Sequence, residues 1–272
     1  MTEIASQDSD VPPGNRIRNP DAPLSLWHYL GISPSLRHWQ LTWNFCRAVT
    51  ANLWFELRWA PVGVRRVDLW RGDAGFQQLW REVKTRTALN PAKLFTLYQL
   101  AHNAALLPAE VAELGVYKGG SARFLARMFA GLNPGKQVLL FDTFSGLPAA
   151  DRERDIYQEG DLADTSLEGV QRFLGDCPNV LFFPGLFSDT LPQASGRRFC
   201  LVHIDADLFS SVEECCAFFY PRMVQGGIML FDDYGFLSCP GAREAVNGFF
   251  SDKAETPLYL FTGQCLVVKQ AP

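Results

Sequence analysis

From Pro108 onward, short apolar and β-branched runs alternate with stretches whose apolar positions recur every three to four residues. That alternation predicts parallel strands joined by covering helices. The strand-like runs are Val111–Val116, Gln137–Phe144, Asn179–Pro184, Phe199–Asp205 and Gly227–Phe231. Between and after them lie the helical stretches Ser121–Leu132, Ser166–Gly175, Ser211–Arg222 and Ala242–Ser251. The final segment, PLYLFTGQCLVVKQ, holds two apolar runs about a Thr262-Gly263-Gln264 turn and reads as a β-hairpin. The expected fold is therefore α/β: a doubly wound, mostly parallel, seven-stranded Rossmann-like sheet with a C-terminal antiparallel hairpin.

The front of the chain reads differently. Residues 1–22 are rich in Asp and Pro and nearly free of large apolar residues, so residues 1–22 are expected to form a flexible tail. Residues 23–107 turn helical and aromatic, and all seven tryptophans (Trp27, Trp39, Trp43, Trp54, Trp59, Trp70 and Trp80) fall there. This composition shift predicts a helical N-terminal extension acting as a lid or oligomer contact, followed by a ligand-binding catalytic domain over 108–272. Eight arginines face three acidic residues between positions 11 and 71. Arginines among aromatics suit an interface between subunits, a lid or a membrane surface alike.

At 272 residues and 47% hydrophobic composition, the chain has enough material for a substantial core. Its net charge of −4 argues against nucleic acid as the main partner. The seven cysteines are scattered, with no CxxC pair, as expected of reduced thiols in a cytoplasmic protein. The N-terminus lacks the basic-then-apolar pattern of a signal peptide. No apolar run is long enough for a transmembrane segment, so any membrane contact is expected to be peripheral.

Three places carry candidate chemistry. The first predicted strand ends in Glu113-Leu114-Gly115-Val116-Tyr117-Lys118-Gly119-Gly120-Ser121 before a helix. Glycines there let the backbone approach a nucleotide-like ligand, whose charged part meets the helix N-terminus. The spacing is not GxGxxG, which favours a nucleoside carrying an amino-acid tail over a pyrophosphate. Glycine-rich turns of this kind also occur without a ligand. Asp142, ending the second strand, is placed to accept hydrogen bonds from ribose hydroxyls; the alternative is that it closes the following turn. Finally, His203-Ile204-Asp205-Ala206-Asp207 and Asp232-Asp233 bring up to four carboxylates to the carboxyl edge of neighbouring strands. Such an oxygen-rich cluster suits a hard divalent cation such as Mg²⁺; the alternative is helix capping or pairing with arginines. His203, inside a strand, reads as a core residue.

The blocks AELGVYKGGSA (112–122), FDTFSGLP (141–148), FPGLFSDTLP (183–192), VHIDADLFSS (202–211) and GGIMLFDDYGFLSCPGAREAV (226–246) occur in order. In them the chain resembles the macrocin O-methyltransferase family of metal- and S-adenosylmethionine-dependent sugar methyltransferases from natural-product pathways. The resemblance implies a class I methyltransferase fold. It places Glu113, Gly115, Val116, Gly119 and Ser121 around the methionine portion of S-adenosyl-L-methionine and Asp142 on its ribose. It also makes Asp205, Asp232 and Asp233 metal ligands and Asp207 the general base. Two positions depart from the family pattern: Ser145 stands where FDxFEGLP has an acid, and Phe209 where Tyr is usual.

The expected activity is metal-dependent O-methylation of a sugar diol on a glycoside, glycolipid or natural product, by a homodimer or higher homo-oligomer. A catechol or phenol acceptor is the rival within enzymes, since it offers the same diol. A non-catalytic, membrane-docked scaffold retaining the fold is the rival outside them.

Overall fold

The computed structural model describes residues 67–270. The predicted tail and most of the predicted extension, with five of the seven tryptophans, lie outside the described residues.

Seven strands form one sheet: β1 (Glu110–Leu114), β2 (Val138–Asp142), β3 (Val180–Pro184), β4 (Phe199–Ile204), β5 (Met223–Phe231), β6 (Leu258–Tyr259) and β7 (Cys265–Val268). Their order is β3-β2-β1-β4-β5-β7-β6. The first five are parallel, and β7 pairs antiparallel with both β5 and β6. All five predicted strands and the hairpin are present. Strand ends differ from expectation by up to two residues except at β5, which begins at Met223, four residues early, because a register shift lets Met223 pair with Phe199 before Ile228 pairs with Leu201. The positive φ of Gly226 accommodates that irregularity.

The helices are α1 (Ala74–Val83), α2 (Pro91–Ala104), α3 (Gly120–Leu132), α4 (Leu167–Phe173), the single turn α5 (Phe187–Thr190), α6 (Phe209–Phe219) and α7 (Pro240–Phe250). They cover both faces of the sheet, which explains why the strands are apolar on both sides. Along β2, Val138 and Leu140 join a core with Phe76, Leu94, Leu97, Phe124 and Phe129. Leu139 and Phe141 point oppositely, into a core with Cys215, Phe219, Val246 and Phe250. The two helices within the predicted extension therefore build one face of the sheet's core. Phe76 of α1 meets Phe95 and Tyr98 of α2 and Phe124 of α3 edge-on, with ring centroids 5.2–5.9 Å apart. Six of the seven cysteines are described, and all six are buried free thiols. Among the described residues, no helix is long and apolar enough to cross a membrane.

The strand order reverses between β1 and β4, so the ends of these strands flank an open crevice. The ladder runs one hydrogen bond past each strand end. Asp205 N–H donates to Leu114 O (2.9 Å), Asp232 N–H to Ile204 O (2.8 Å) and Gly115 N–H to Phe141 O (3.0 Å). These bonds hold the backbones of Gly115, Asp205 and Asp232 at one level along the carboxyl edge.

Candidate active site

Two adjoining hollows open on that edge and share Gly115, Asp142, Gly146, Leu147 and Asp205 in their walls. One extends over Asp207, Asp232 and Asp233 toward Tyr157, Phe236 and Cys239. The other extends past Thr143 and Pro148 to Phe187 and Glu214.

The glycine turn is shaped first by the sheet. Gly115 has φ +85°, and a Cβ there would lie 1.8 Å from the carbonyl oxygen of Asp205. Any side chain would collide with β4, so the glycine is required whether or not a ligand binds. Gly119, also left-handed, caps α3, and a Cβ would lie 2.9 Å from both Leu174 and Val170. Asp142 ties the two neighbouring loops together. One of its oxygens accepts the N–H groups of Val116 (2.6 Å) and Tyr117 (2.8 Å), and the other accepts that of Phe144 (2.6 Å). The turn-closing alternative for Asp142 is thus realised, while its carboxylate still borders both hollows.

Glu113, Val116, Gly119 and Ser121 stand outside the lining of these hollows. Glu113 is wholly buried, and its carboxylate meets His203 Nδ1 at 3.0 Å across the β1–β4 ladder, where the two residues are register partners. The other ring nitrogen lies 3.6 Å from Asp232 Oδ1, too far for a direct hydrogen bond. Burial opposes charge on His203, but Asp232 and Glu113 outweigh it and hold its pKa at about 10.

The four expected carboxylates do converge. One oxygen each from Asp205, Asp232 and Asp233 lies within 4.8 Å of the others, and Asp207, Asp233 and Cys239 form a second such group. Their surroundings differ. Asp232 is saturated: Lys93 Nζ holds one oxygen in a short ion pair, and Gln264 Nε2 donates to the other at 2.8 Å. Burial opposes its charge, yet Lys93 and His203 keep its pKa far below the ordinary carboxylate value. Among the described residues Asp233 accepts only the Asp207 N–H, at 3.2 Å, and burial beside Asp232 raises its pKa to about 6. Among the described residues the carboxylate of Asp207 has only the weak Cys239 thiol as a side-chain partner, at 3.5 Å. Among the described residues, no group donates to the carboxylate of Asp205. Burial first and neighbouring carboxylates second push Asp205 and Asp207 well above the usual range.

Close, donor-poor carboxylates repel one another, and protons or a cation must offset that repulsion. All-oxygen donors at this spacing fit a hard divalent cation held by Asp205 and Asp233 with Asp232 beside them. Asp207 sits just outside with φ +58°, a strained backbone for an aspartate and one that turns its side chain along the cavity wall.

Sequence reasoning missed Lys93 and Gln264. Lys93 is the third residue of α2, started by the Asn90 cap and Pro91, where a buried cation opposes the helix dipole. Its partner lies 139 residues away, so nothing local marks it. Tyr157 was missed for the same reason: it lies in the loop after β2, yet it is 7% exposed and lines the acidic hollow. The Glu113–His203 pair did have a signal, namely a carboxylate and an imidazole inside apolar strands that the topology makes neighbours.

The sheet order, the antiparallel seventh strand and a crevice between a glycine turn and strand-end acids define a class I methyltransferase fold. The model of the macrocin-O-methyltransferase family matches residues 95–265, and the chain belongs to that family. A tetracenomycin-related rhamnosyl 4′-O-methyltransferase of Streptomyces olivaceus is 32% identical over 157 residues, 53% of this chain and 58% of that protein. Mycinamicin III 3″-O-methyltransferase of Micromonospora griseorubida is 31% identical over 159 residues, 53% and 61% of the respective chains. The match thus spans about three-fifths of these relatives' length. Among solved structures, the O-methyltransferase NovP superposes with TM-score 0.62 at 24% identity, covering 69% of this chain and 83% of that one. The calicheamicin methyltransferase CalS11 gives 0.57 at 16%, covering 75% and 98%. At these identities the two structures establish the fold.

Proposed function

We propose that the protein is an S-adenosylmethionine-dependent O-methyltransferase acting on a hydroxyl of a sugar diol, carried by a natural product or another glycoside. The observation that carries this reading is the placing of Asp205, Asp207, Asp232 and Asp233 on one hollow that adjoins the Gly115–Asp142 crevice. The sugar-directed names of the relatives support the acceptor class.

S-adenosylmethionine supplies a methyl group already activated by its sulfonium, so the protein's task is alignment. Gly115, Tyr117 and Asp142 border the crevice and would meet the cofactor, Asp142 on its ribose. Glu113, Val116, Gly119 and Ser121 would act by shaping the turn that receives its methionine part. Asp205 and Asp233, with Asp232, would hold a divalent cation such as Mg²⁺, which when bound makes a nearby hydroxyl more acidic. Asp207 is the proton acceptor in this scheme. Burial and the neighbouring Asp233 raise its pKa, and its carboxylate, approached by the weak Cys239 thiol at 3.5 Å, lines the acidic hollow where it would take the proton at Oδ. A vicinal diol is the acceptor favoured, since two adjacent oxygens can share one cation.

Incubation with S-adenosylmethionine, Mg²⁺ and a panel of deoxyhexosides, hexosides and catechols, read by mass spectrometry, tests the proposal. Methylated sugars with S-adenosylhomocysteine release are expected. Turnover of catechols alone would move the acceptor class, and tighter binding of NAD than of S-adenosylmethionine in calorimetry would remove the methyltransferase reading.

The tryptophan-rich front segment serves, in this proposal, as a lid and a contact between copies in the cytoplasm. Deleting residues 1–22 is expected to leave size-exclusion profile and activity unchanged, whereas deletion through Pro61 should cause aggregation or monomerisation. A longer deletion that stayed oligomeric and active would end that role.

A further inference from the structure

We propose that Lys93 is a resident counter-cation of the acidic cluster, competing with the divalent cation for Asp232 and thereby setting how weakly that cation is held. The inference rests on the cation site proposed above and assigns a residue that lies two positions before the family match.

The geometry is specific. Lys93 is 8% exposed, pairs with Asp232 and stacks its ammonium over the Phe236 ring, 4.0 Å from the centroid. Asp232 has a second hold besides it, through Gln264 Nε2 at 2.8 Å. Lys93 is therefore not needed to aim the carboxylate. What it contributes is a positive charge on a ligand oxygen. Two cations on neighbouring carboxylates repel in a partly desolvated site, where such interactions reach several kcal/mol. Removing the ammonium ends that repulsion. It also leaves Asp232 under-compensated when no metal is present, which favours the metal-bound form again. Both effects have the same sign.

Mn²⁺ binding to the cofactor-free full chain, followed by electron paramagnetic resonance, separates the charge from the shape. Lys93→Met is expected to bind Mn²⁺ about ten-fold more tightly than wild type or better. Lys93→Gln, which keeps a donor and loses the charge, should move in the same direction and stands in if the Met variant fails to fold. Lys93→Arg, which keeps the charge, should stay near wild type. Gln264→Leu removes a neutral partner of the same carboxylate and should not tighten binding. A folded charge-removing variant that binds Mn²⁺ as weakly as wild type, or more weakly, overturns the inference while leaving the cation site standing. Wild type that binds no Mn²⁺ beside a Lys93→Met variant that does supports it. Absence of binding in every variant overturns both readings.

Discussion

Asp207→Asn is expected to lower kcat by about 10²–10⁴, the range for loss of a general base, with no recovery at high Mg²⁺. The substitution keeps the side chain's size, and the contact it disturbs is a 3.5 Å approach of the Cys239 thiol. The bond to the Asp233 carboxylate is donated by the main-chain N–H of Asp207, which the substitution leaves in place. Cofactor affinity without acceptor should therefore stay within about three-fold of wild type, a change worth well under 1 kcal/mol. Asp205→Asn and Asp233→Asn should behave differently, since each would remove a ligand of the proposed cation: the Mg²⁺ needed for half-maximal turnover should rise, and excess Mg²⁺ should partly restore the rate. Metal titrations of kcat for the three variants make the comparison. Recovery of Asp207→Asn by Mg²⁺, with none for Asp205→Asn, would exchange the two roles. His203 is not available as the replacement base, because it is fully buried against Glu113 and reaches neither hollow.

Gly115→Ala should destabilise the fold by about 3 kcal/mol or more, combining a left-handed backbone with steric overlap. The new methyl would lie 1.8 Å from the Asp205 carbonyl oxygen, a group locked in the β4 edge. The alternative residence for that methyl would require β1 and β4 to separate at the crevice, breaking the Asp205–Leu114 bond. Gly131→Ala is the matched control. It lies in α3 with nothing within 4 Å of its Cβ position, so gaining helix propensity should leave stability unchanged or raise it by about 0.5–1 kcal/mol. Urea denaturation of both variants, followed by circular dichroism, reads the difference. Equal midpoints would mean that the turn can relax.

The sheet was legible because its information is local: runs such as Phe199-Cys200-Leu201-Val202-His203-Ile204 cannot be placed anywhere but inside, and the turn at Thr262-Gly263-Gln264 announces the hairpin. The four acids were legible for the same reason, since all lie within three residues of the end of a buried strand. What the sequence could not show is how the acids differ. Asp232 and Asp233 are adjacent and identical, yet Lys93 from α2 and Gln264 from the β6–β7 turn saturate the first and leave the second with a backbone N–H. That distinction is made by partners more than 30 residues distant on separate elements. The glycine turn carried a subtler lesson. Gly115 read as a ligand-approach residue, and the crossing of β4 alone already demands it.

The ladder bonds that continue past β1 and β4 divide the site by rigidity and by freedom to vary. Gly115, Asp205 and Asp232 are anchored by main-chain bonds of the central strands, so their placement depends little on neighbouring side chains. Leu147, Tyr157, Phe236 and Ser238, which also line the acidic hollow, come from the loops after β2 and β5. Loops accept substitution and insertion that central strands do not. If these loops meet the proposed acceptor, a descendant of this chain could exchange that surface one loop at a time while the carboxylates stay in register, and diversification of substrates would leave its record in residues 143–166 and 234–239 rather than in the sheet.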